Sequence, residues 1–488
     1  MEKEQYESKK EVTSNLMWRL AERFGAQGVT IVVSIVLARL LDPEVYGTVA
    51  IVTIITTILQ VFLDGGFSSA LIQKKDADDI DFSSVFYFNV VFGLIIYALL
   101  FFTAPYIAEF YEMPDLKAII RVLGLTLIIF SLKSVQQAYV SRNMIFKKFF
   151  FATLGGTLGA AVVGIVLAKL GYGVWALVAQ HIFNMLIDTI VLWFVVKWRP
   201  KAVFSFARLK SMLSYGWKLL FASLLDTVYK DIRQLIIGKM YTESDLAFYN
   251  QGKKYTQILV TCINSSIDSV LLPTMSKVQQ DIDTVKKMTR RAIKVSTFIM
   301  MPMMMGIAVC AEPLVKVLLT EKWLPCVPYM RIFCFTFAFY PVHTANLNAI
   351  KALGRSDLFL KLEIIKKIYG SIILVSTMWW GPMIMAYSLL FSSVLSQVVN
   401  SWPNRKLMGY KYEEQLRDML PQILLSCFMG AIIYCVSLLK LSSIVVLCIQ
   451  IPLGVVIYLG LSKVFHVDSF EYVLSIIKQY LNRNKKGN

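Results

Sequence analysis

Charge is scarce in this sequence of 488 residues: Asp, Glu, Lys and Arg together make up 17% of it, against 57% hydrophobic residues. Soluble domains usually carry more charge and less apolar content, so the composition argues against a water-soluble enzyme. Histidine is scarcer still. His181, His343 and His466 lie far apart and form no metal motif. Cys262, Cys310, Cys326, Cys334, Cys427, Cys435 and Cys448 fall mostly in apolar stretches, make no Cys-x-x-Cys pair, and read as buried free thiols. A Gly-rich phosphate loop after a strand, a His-Glu-x-x-His helix and a Gly-x-Ser-x-Gly turn are all missing. No catalytic constellation, metal or cofactor is therefore expected, and ATP is not expected to power the protein directly. Met1 to Glu11 is polar and mixed in charge. The first apolar block is too long for a signal-peptide core and has no small-residue cleavage pattern, so it reads as a retained anchor.

What the sequence does have is apolar blocks of about 20 residues, the length that crosses a hydrocarbon core. Ile31 to Leu37, Val49 to Leu63, Val90 to Phe102 and Val445 to Leu461 are uncharged centres of such blocks. The pattern predicts an all-α polytopic membrane protein of about fourteen transmembrane helices. The spans are 14–38, 45–71, 83–105, 117–141, 150–169, 174–196, 212–238, 246–275, 293–311, 327–350, 360–379, 382–400, 420–439 and 443–464. The net charge of +18 would suit nucleic acid, but the basic residues sit in short loops between apolar blocks. The positive-inside rule accounts for them, with the bilayer as partner, no nucleic acid, and both termini cytoplasmic. Trp193, Trp198, Trp323 and Trp402 are expected in interfacial belts at helix ends.

An internal repeat emerges when the chain is compared with itself at an offset of roughly 200 residues. Asn15-Leu16-Met17-Trp18-Arg19 matches Ser214-Tyr215-Gly216-Trp217-Lys218, and Ser69-Ala70-Leu71-Ile72 matches Ser269-Val270-Leu271-Leu272. Arg121-Val122-Leu123 matches Arg331-Ile332-Phe333, and Gly171 matches Gly381. The halves start on the same side of the membrane, so the repeat is parallel. The expected organisation is a six-helix lobe (1–196), an amphipathic cytoplasmic linker (197–211), a second six-helix lobe (212–400), two additional helices (401–464) and an amphipathic basic tail (465–488).

Two stretches carry a family resemblance. Leu37-Ala38-Arg39-Leu40-Leu41-Asp42-Pro43-Glu44-Val45-Tyr46-Gly47, and Gly66-Phe67-Ser68-Ser69-Ala70-Leu71-Ile72-Gln73-Lys74 with the acidic loop after it, resemble Wzx-like polysaccharide flippases. That family belongs to the multidrug/oligosaccharidyl-lipid/polysaccharide exporter superfamily. The resemblance implies two six-helix lobes around a central cavity in the cytoplasmic (inner or plasma) membrane. It implies translocation of an undecaprenyl-pyrophosphate-linked glycan for O-antigen, capsule, exopolysaccharide or teichuronic-acid-like polymers, with polymerase or export machinery as further partners. Alternatives within the superfamily are a lipid II flippase and a cation-coupled multidrug exporter. A membrane-embedded glycosyltransferase or polymerase is the alternative of another class.

Charges inside the spans are the candidate site. A basic residue at mid-membrane costs about 2.5–3.5 kcal/mol on insertion scales, and an anionic ligand, a carboxylate or water must offset it. Arg19 and Arg23 in the first span, and Lys218 as the repeat partner of Arg19, could meet a lipid pyrophosphate; Arg suits phosphate through bidentate hydrogen bonds. Snorkelling to the inner headgroups is the plain alternative for Arg19 and Lys218. Lys230 and Arg233 in the seventh span and Lys253 and Lys254 in the eighth are further pyrophosphate candidates, unless ion pairs neutralise them. Glu22, Asp64, Asp188 and Asp226 are candidates for ion coupling or for charge balance. Gly155, Gly156 and Gly159 read as close helix packing.

Overall fold

The computed structural model describes residues 27–74, 76–143, 145–439 and 441–475, with Gly25 and Lys478; the side chains of 146–152, 215, 262, 266 and 269 are not described. Every regular element among the described residues is helical. In order these are α1 (Gln27–Leu40), α2 (Pro43–Asp64), α3 (Phe67–Gln73), α4 (Asp79–Tyr111), α5 (Leu116–Leu123), α6 (Leu125–Arg142), α7 (Phe146–Lys169), α8 (Val174–Val195) and α9 (Phe206–Met240). There follow α10 (Glu243–Lys277), α11 (Ile282–Leu318), α12 (Cys326–Ala338), α13 (Tyr340–Ala352), α14 (Ser356–Thr377), α15 (Pro382–Met408), α16 (Tyr412–Ser437) and α17 (Ser443–Val464).

Among the described residues, nine helical stretches are long and apolar enough to cross a membrane: α2, α4, α5 with α6, α8, α10, α11, α15, α16 and α17. α1 and residues Thr153–Lys169 of α7 are apolar but shorter. α9 and α14 carry charges within their length. The chain is an all-helical, multi-pass membrane protein.

Two compact units divide the chain, residues 1–247 and 248–488. In the first, α2 stops where Gly65 and Gly66 take successive left-handed conformations, φ 56° and 75°, which only glycine adopts without strain. α4 starts with a capping box: Asp78 accepts from the N–H groups of Ile80 and Asp81, and Asp81 accepts from the N–H of Asp78. The backbone N–H of Asp81 first, then Arg208 and the N–H of Ile80, hold the Asp78 carboxyl below the usual carboxylate range.

The same helix end receives the segment between α8 and α9. Asp81 is fully buried and pairs with Lys74 at 2.6 Å and Arg208 at 3.3 Å. Asp78 pairs with Arg208 at 3.0 Å and Asp79 with Lys201 at 2.6 Å. Ser83 and Ser84 accept hydrogen bonds from the backbone N–H groups of Lys201 and Ser205. Beneath this strap Phe82, Phe86, Val135, Trp198, Leu209 and Met212 form one apolar core, with Phe82 and Trp198 at 5.7 Å between ring centroids. Phe204 and Phe206 stay exposed. Here Trp198 departs from the belt expectation: it is buried and donates its indole N–H to Asp79. Trp323 in the second unit is likewise fully buried, edge-on to Phe248; Trp402 is exposed. A large ring placed at a helix end is drawn inward wherever neighbouring aromatics leave room for it.

In the second unit the first turns of α11 dock on α16. Arg290 grips Asp418 with two nitrogens at 2.6 and 2.8 Å, Lys294 lies at 3.6 Å, and the Tyr410 hydroxyl donates to the same carboxylate at 2.8 Å. Burial, then the bond to Asp418, push the Tyr410 phenol above its ordinary value. After α17 the chain turns into a short helix at 468–475, whose Phe470 and Val473 pack against the cluster built on Phe298, Met429 and Tyr458. Lys294 reaches Asp468 at 2.9 Å and Arg291 covers the Tyr472 ring. Ile477, Tyr480, Arg483, Lys485 and Lys486 of the expected tail lie outside the described residues. Of the cysteines, Cys310, Cys326 and Cys334 are buried, but Cys427, Cys435 and Cys448 sit on outward faces of α16 and α17. That corrects the expectation of buried thiols: in a membrane helix an apolar neighbourhood marks a lipid-facing surface as readily as a core.

Candidate functional site

α9 is the element that gathers most of the expected site residues. Its start is fixed by Ser205, whose hydroxyl accepts from the N–H of Arg208. Its two halves then behave differently. Along the first, Leu213, Trp217, Lys218, Phe221 and Leu225 are exposed. Along the second the helix seats against α2, where glycines permit close approach. A Cβ on Gly238 would meet Ile51 at 3.0 Å; in the first half, Gly216 approaches the α2–α3 corner so closely that a Cβ on Gly66 would overlap its backbone.

Lys230 pairs with Asp226 one turn away at 2.6 Å, both about half exposed. Asp231 accepts from the Gln234 amide at 2.9 Å. Arg233 is buried, and Lys230, Asp231 and Arg233 all have further polar partners. α9 thus presents a run of alternating charge along its middle turns, with Lys218 three turns earlier on the exposed face of its first half. Lys253 and Lys254 are half-buried on the α10 portion that belongs to the second unit. Arg19, Glu22 and Arg23 lie outside the described residues.

The acids fall in distinct settings. Asp64 accepts from the Ser68 hydroxyl across the α2–α3 corner. Asp188 on α8 is buried beside Gly156 and pairs with Lys133 on α6. Gly156 and Gly159 face α8 closely, whereas a Cβ on Gly155 would meet open space. Lys133 was passed over in the sequence although it lies inside the span 117–141; its signal was an isolated cation in an apolar block with an isolated Asp two spans on. Lys361, Glu363, Lys366 and Lys367 on α14 were also passed over, and so was the role of Asp418. Among the described residues no three His, Cys, Asp or Glu side chains come together as a metal site. Chemically, the α9 cations offer N–H donors to an anion, flanked by exposed aromatic and aliphatic surface.

A multi-pass helical membrane protein with cations spaced along an incompletely packed helix is the class these features define. The chain belongs to the polysaccharide biosynthesis protein family, whose family model matches residues 36–328. It is similar to the succinoglycan biosynthesis transport protein ExoT of Rhizobium meliloti (strain 1021), 25% identical over 391 residues that cover 78% of this chain and 79% of the relative. It is similar to the teichuronic acid biosynthesis protein TuaB of Bacillus subtilis (strain 168), 24% identical, with 83% and 86% covered. The lipopolysaccharide biosynthesis protein WzxC of Escherichia coli (strain K12) is 20% identical, with 83% and 85% covered. The resemblance to Wzx-like proteins read from the first turns of the chain is borne out. Among solved structures, the lipid II flippase MurJ in an inward closed conformation matches with a TM-score of 0.75 at 16% identity, covering 93% of this chain and 99% of that one. An inward-facing multidrug resistance MATE family transporter matches with a TM-score of 0.61, also at 16% identity, covering 80% and 98%. At these identities the likeness is one of fold.

Proposed function

We propose that this protein is a flippase that moves an undecaprenyl-pyrophosphate-linked oligosaccharide from the inner to the outer leaflet of the cytoplasmic membrane by alternating access. The family match over residues 36–328 carries the reading, and relatives named for polysaccharide biosynthesis and transport support it. On this reading the chain crosses the membrane fourteen times with both termini inside, its repeats (1–196 and 212–400) form two lobes, and it acts as a carrier with no chemistry of its own. The pyrophosphate is met by cations: Arg19 and Arg23 on the first span, Lys218, Lys230 and Arg233 on α9, and Lys253 and Lys254 on α10. Glu22, Asp64, Asp188 and Asp226 balance these charges or take part in coupling. An anionic headgroup that binds one state of the carrier better than the other biases the transition between them. The sugar travels through a watery cavity while the prenyl chain stays in lipid.

A clean deletion tests the reading. Surface polymer should disappear and the lipid-linked repeat unit should accumulate on the inner leaflet; normal polymer in the deletion strain would overturn it. Arg19→Ala with Arg23→Ala should reduce translocation far more than protein abundance. Arg19→Lys should retain part of the activity, since charge survives while bidentate geometry does not.

A further inference from the structure

Prolines inside the long helices strip carbonyls of their donors, and other helices supply replacements. A proline has no N–H, so the carbonyl four residues before it loses its helical partner. Within a membrane a neighbouring group must take over as donor. Pro105 in α4 frees the Phe101 carbonyl, and Nε of Arg121 on α5 donates to it at 3.3 Å. The Arg121 guanidinium also covers the Phe101 ring, 4.1 Å from its centre. The Tyr97 hydroxyl, one turn before Phe101, donates to the backbone carbonyl of Arg121 at 3.2 Å and so fixes where α5 carries the arginine.

The second unit repeats the arrangement. Arg331 on α12, matched to Arg121 in the internal repeat, donates from Nε to the Ala308 carbonyl of α11 at 3.2 Å. Ala308 stands next to Val309, whose carbonyl loses its helical donor to Pro313. Pro302 in the same helix frees the Phe298 carbonyl, and the Tyr458 hydroxyl of α17 donates to it at 2.9 Å. Each time a donor from another helix stands at the break or beside it.

What α4 carries beyond its break gives Arg121 a task of its own. The turns from Pro105 to Tyr111 end in Glu112, which takes φ 59°, a left-handed C-cap conformation usually left to glycine. Glycine would offer no carboxylate there, whereas Glu112 pairs with Lys239 in the last turn of α9 at 2.7 Å. Lys239 also lies 5.1 Å from the centre of the Phe110 ring. At its other end α4 holds α9 through Asp78 and Asp81, which pair with Arg208. The two helices are 33 and 35 residues long, about 50 Å each, so α4 grips α9 near both ends. The grip at Glu112 is an exposed ion pair, which adds little to stability by itself. It therefore holds α9 only while the turns that present it stay in place.

We infer that Arg121 is a positioning residue: it stands in for the N–H that Pro105 lacks and so keeps the last turns of α4 where Glu112 and Phe110 hold Lys239, and with it the far end of α9. An unbroken helix would carry its tip along unaided. Here the tip depends on α5, and α9, the helix with Lys218, Lys230 and Arg233, depends on the tip. Nothing in the substrate reading assigns a role to Arg121, Glu112 or Lys239. The grip is independent of what is carried; its weight in transport rests on the reading of the chain as a carrier.

Hydrogen exchange on the full-length protein in nanodiscs tests it. Arg121→Met should speed exchange about tenfold in residues 101–112, the change expected when a hydrogen bond from a charged donor is lost. Residues 235–241 should speed up by about two- to fivefold, since an exposed pair holds them. Pro105→Ala returns the missing N–H, so Arg121→Met combined with Pro105→Ala should bring both stretches back to the wild-type rate, a rescue that general damage would not show. Arg121→Lys, which keeps a charged donor, should lose less than Arg121→Met. Glu112→Gln should speed residues 235–241 alone, by the same smaller factor. Unchanged exchange in Arg121→Met, a double variant as fast as Arg121→Met, or unchanged residues 235–241 in Glu112→Gln would overturn the inference. Should Arg121→Met fail to fold, a folded double variant supports it and an unfolded one overturns it. In proteoliposomes carrying a lipid-linked oligosaccharide, movement between leaflets should fall in Arg121→Met and return in the double variant; full movement in Arg121→Met would overturn the weight of the grip in transport. If the wild-type protein moves no oligosaccharide while the exchange rescue holds, the substrate reading falls and the positioning role stands.

Discussion

The two units solve the same electrostatic problem differently. In the first, Asp78, Asp79 and Asp81 stand together at the start of α4 and share Lys74, Lys201 and Arg208. Losing one member leaves the others paired. In the second, the single buried carboxylate of Asp418 collects Arg290, Lys294 and the Tyr410 hydroxyl. There Arg290 and the Tyr410 hydroxyl both depend on one side chain, while Lys294 also has Asp468. A distributed strap tolerates damage, whereas a concentrated one holds more per residue and fails at once.

Asp418→Asn should therefore give the largest effect, a loss of about 3–5 kcal/mol, because it strips a buried carboxylate from its cations. Thermal unfolding in detergent measures it. Asp81→Asn should lose less, about 1–3 kcal/mol, since Arg208 keeps Asp78; equal losses at the two positions would break the contrast. Lys201→Ala removes an exposed pair and should stay below about 1 kcal/mol.

The smallest and sharpest difference is in pH. Asp78 is held below the carboxylate value of 3.8, so its contribution is present above that value and fades as pH falls through the lowered one. Tyr410 is held above the phenol value of 10.0, so its contribution is present below pH 10.0 and fades as pH rises beyond it. Hydrogen exchange should accelerate in residues 78–84 and 197–208 under acid, and in residues 409–418 under alkali.

Much of the architecture was legible because lipid imposes it: spans such as 174–196 and 443–464 coincide with α8 and α17 almost to the residue. The charges on α9 were legible because they interrupt apolar sequence. What escaped notice was either neutral or distant. Ser388, Ser392, Ser396, Asn400 and Asn404 recur every fourth residue along α15 and barely lower hydropathy, so only that spacing could have exposed the polar stripe they form. Lys366 and Lys367 lie in the middle of the span 360–379, and which way they point depends on where α13 and α15 pack. Asp418 meets partners on α11, far away in sequence, and no local pattern announces such a pairing. The acidic run from Asp76 to Asp81 and the basic linker were both visible in the sequence, but not as each other's counterpart.

That last pairing orders events at the ribosome. The start of α4 enters the membrane long before Lys201 and Arg208 have been synthesised, because well over a hundred residues separate them. Until the linker emerges, all three carboxylates lack these cations and Asp81 has Lys74 instead, Ser83 and Ser84 lack the backbone donors they receive from it, and the pocket around Phe82 and Phe86 lacks Trp198. The nascent helices up to α8 are consequently an open assembly on the side of their acidic loop. A chain stalled just before residue 197 should be a preferred target for membrane quality-control proteases, while one stalled a turn or two into α9 should be spared.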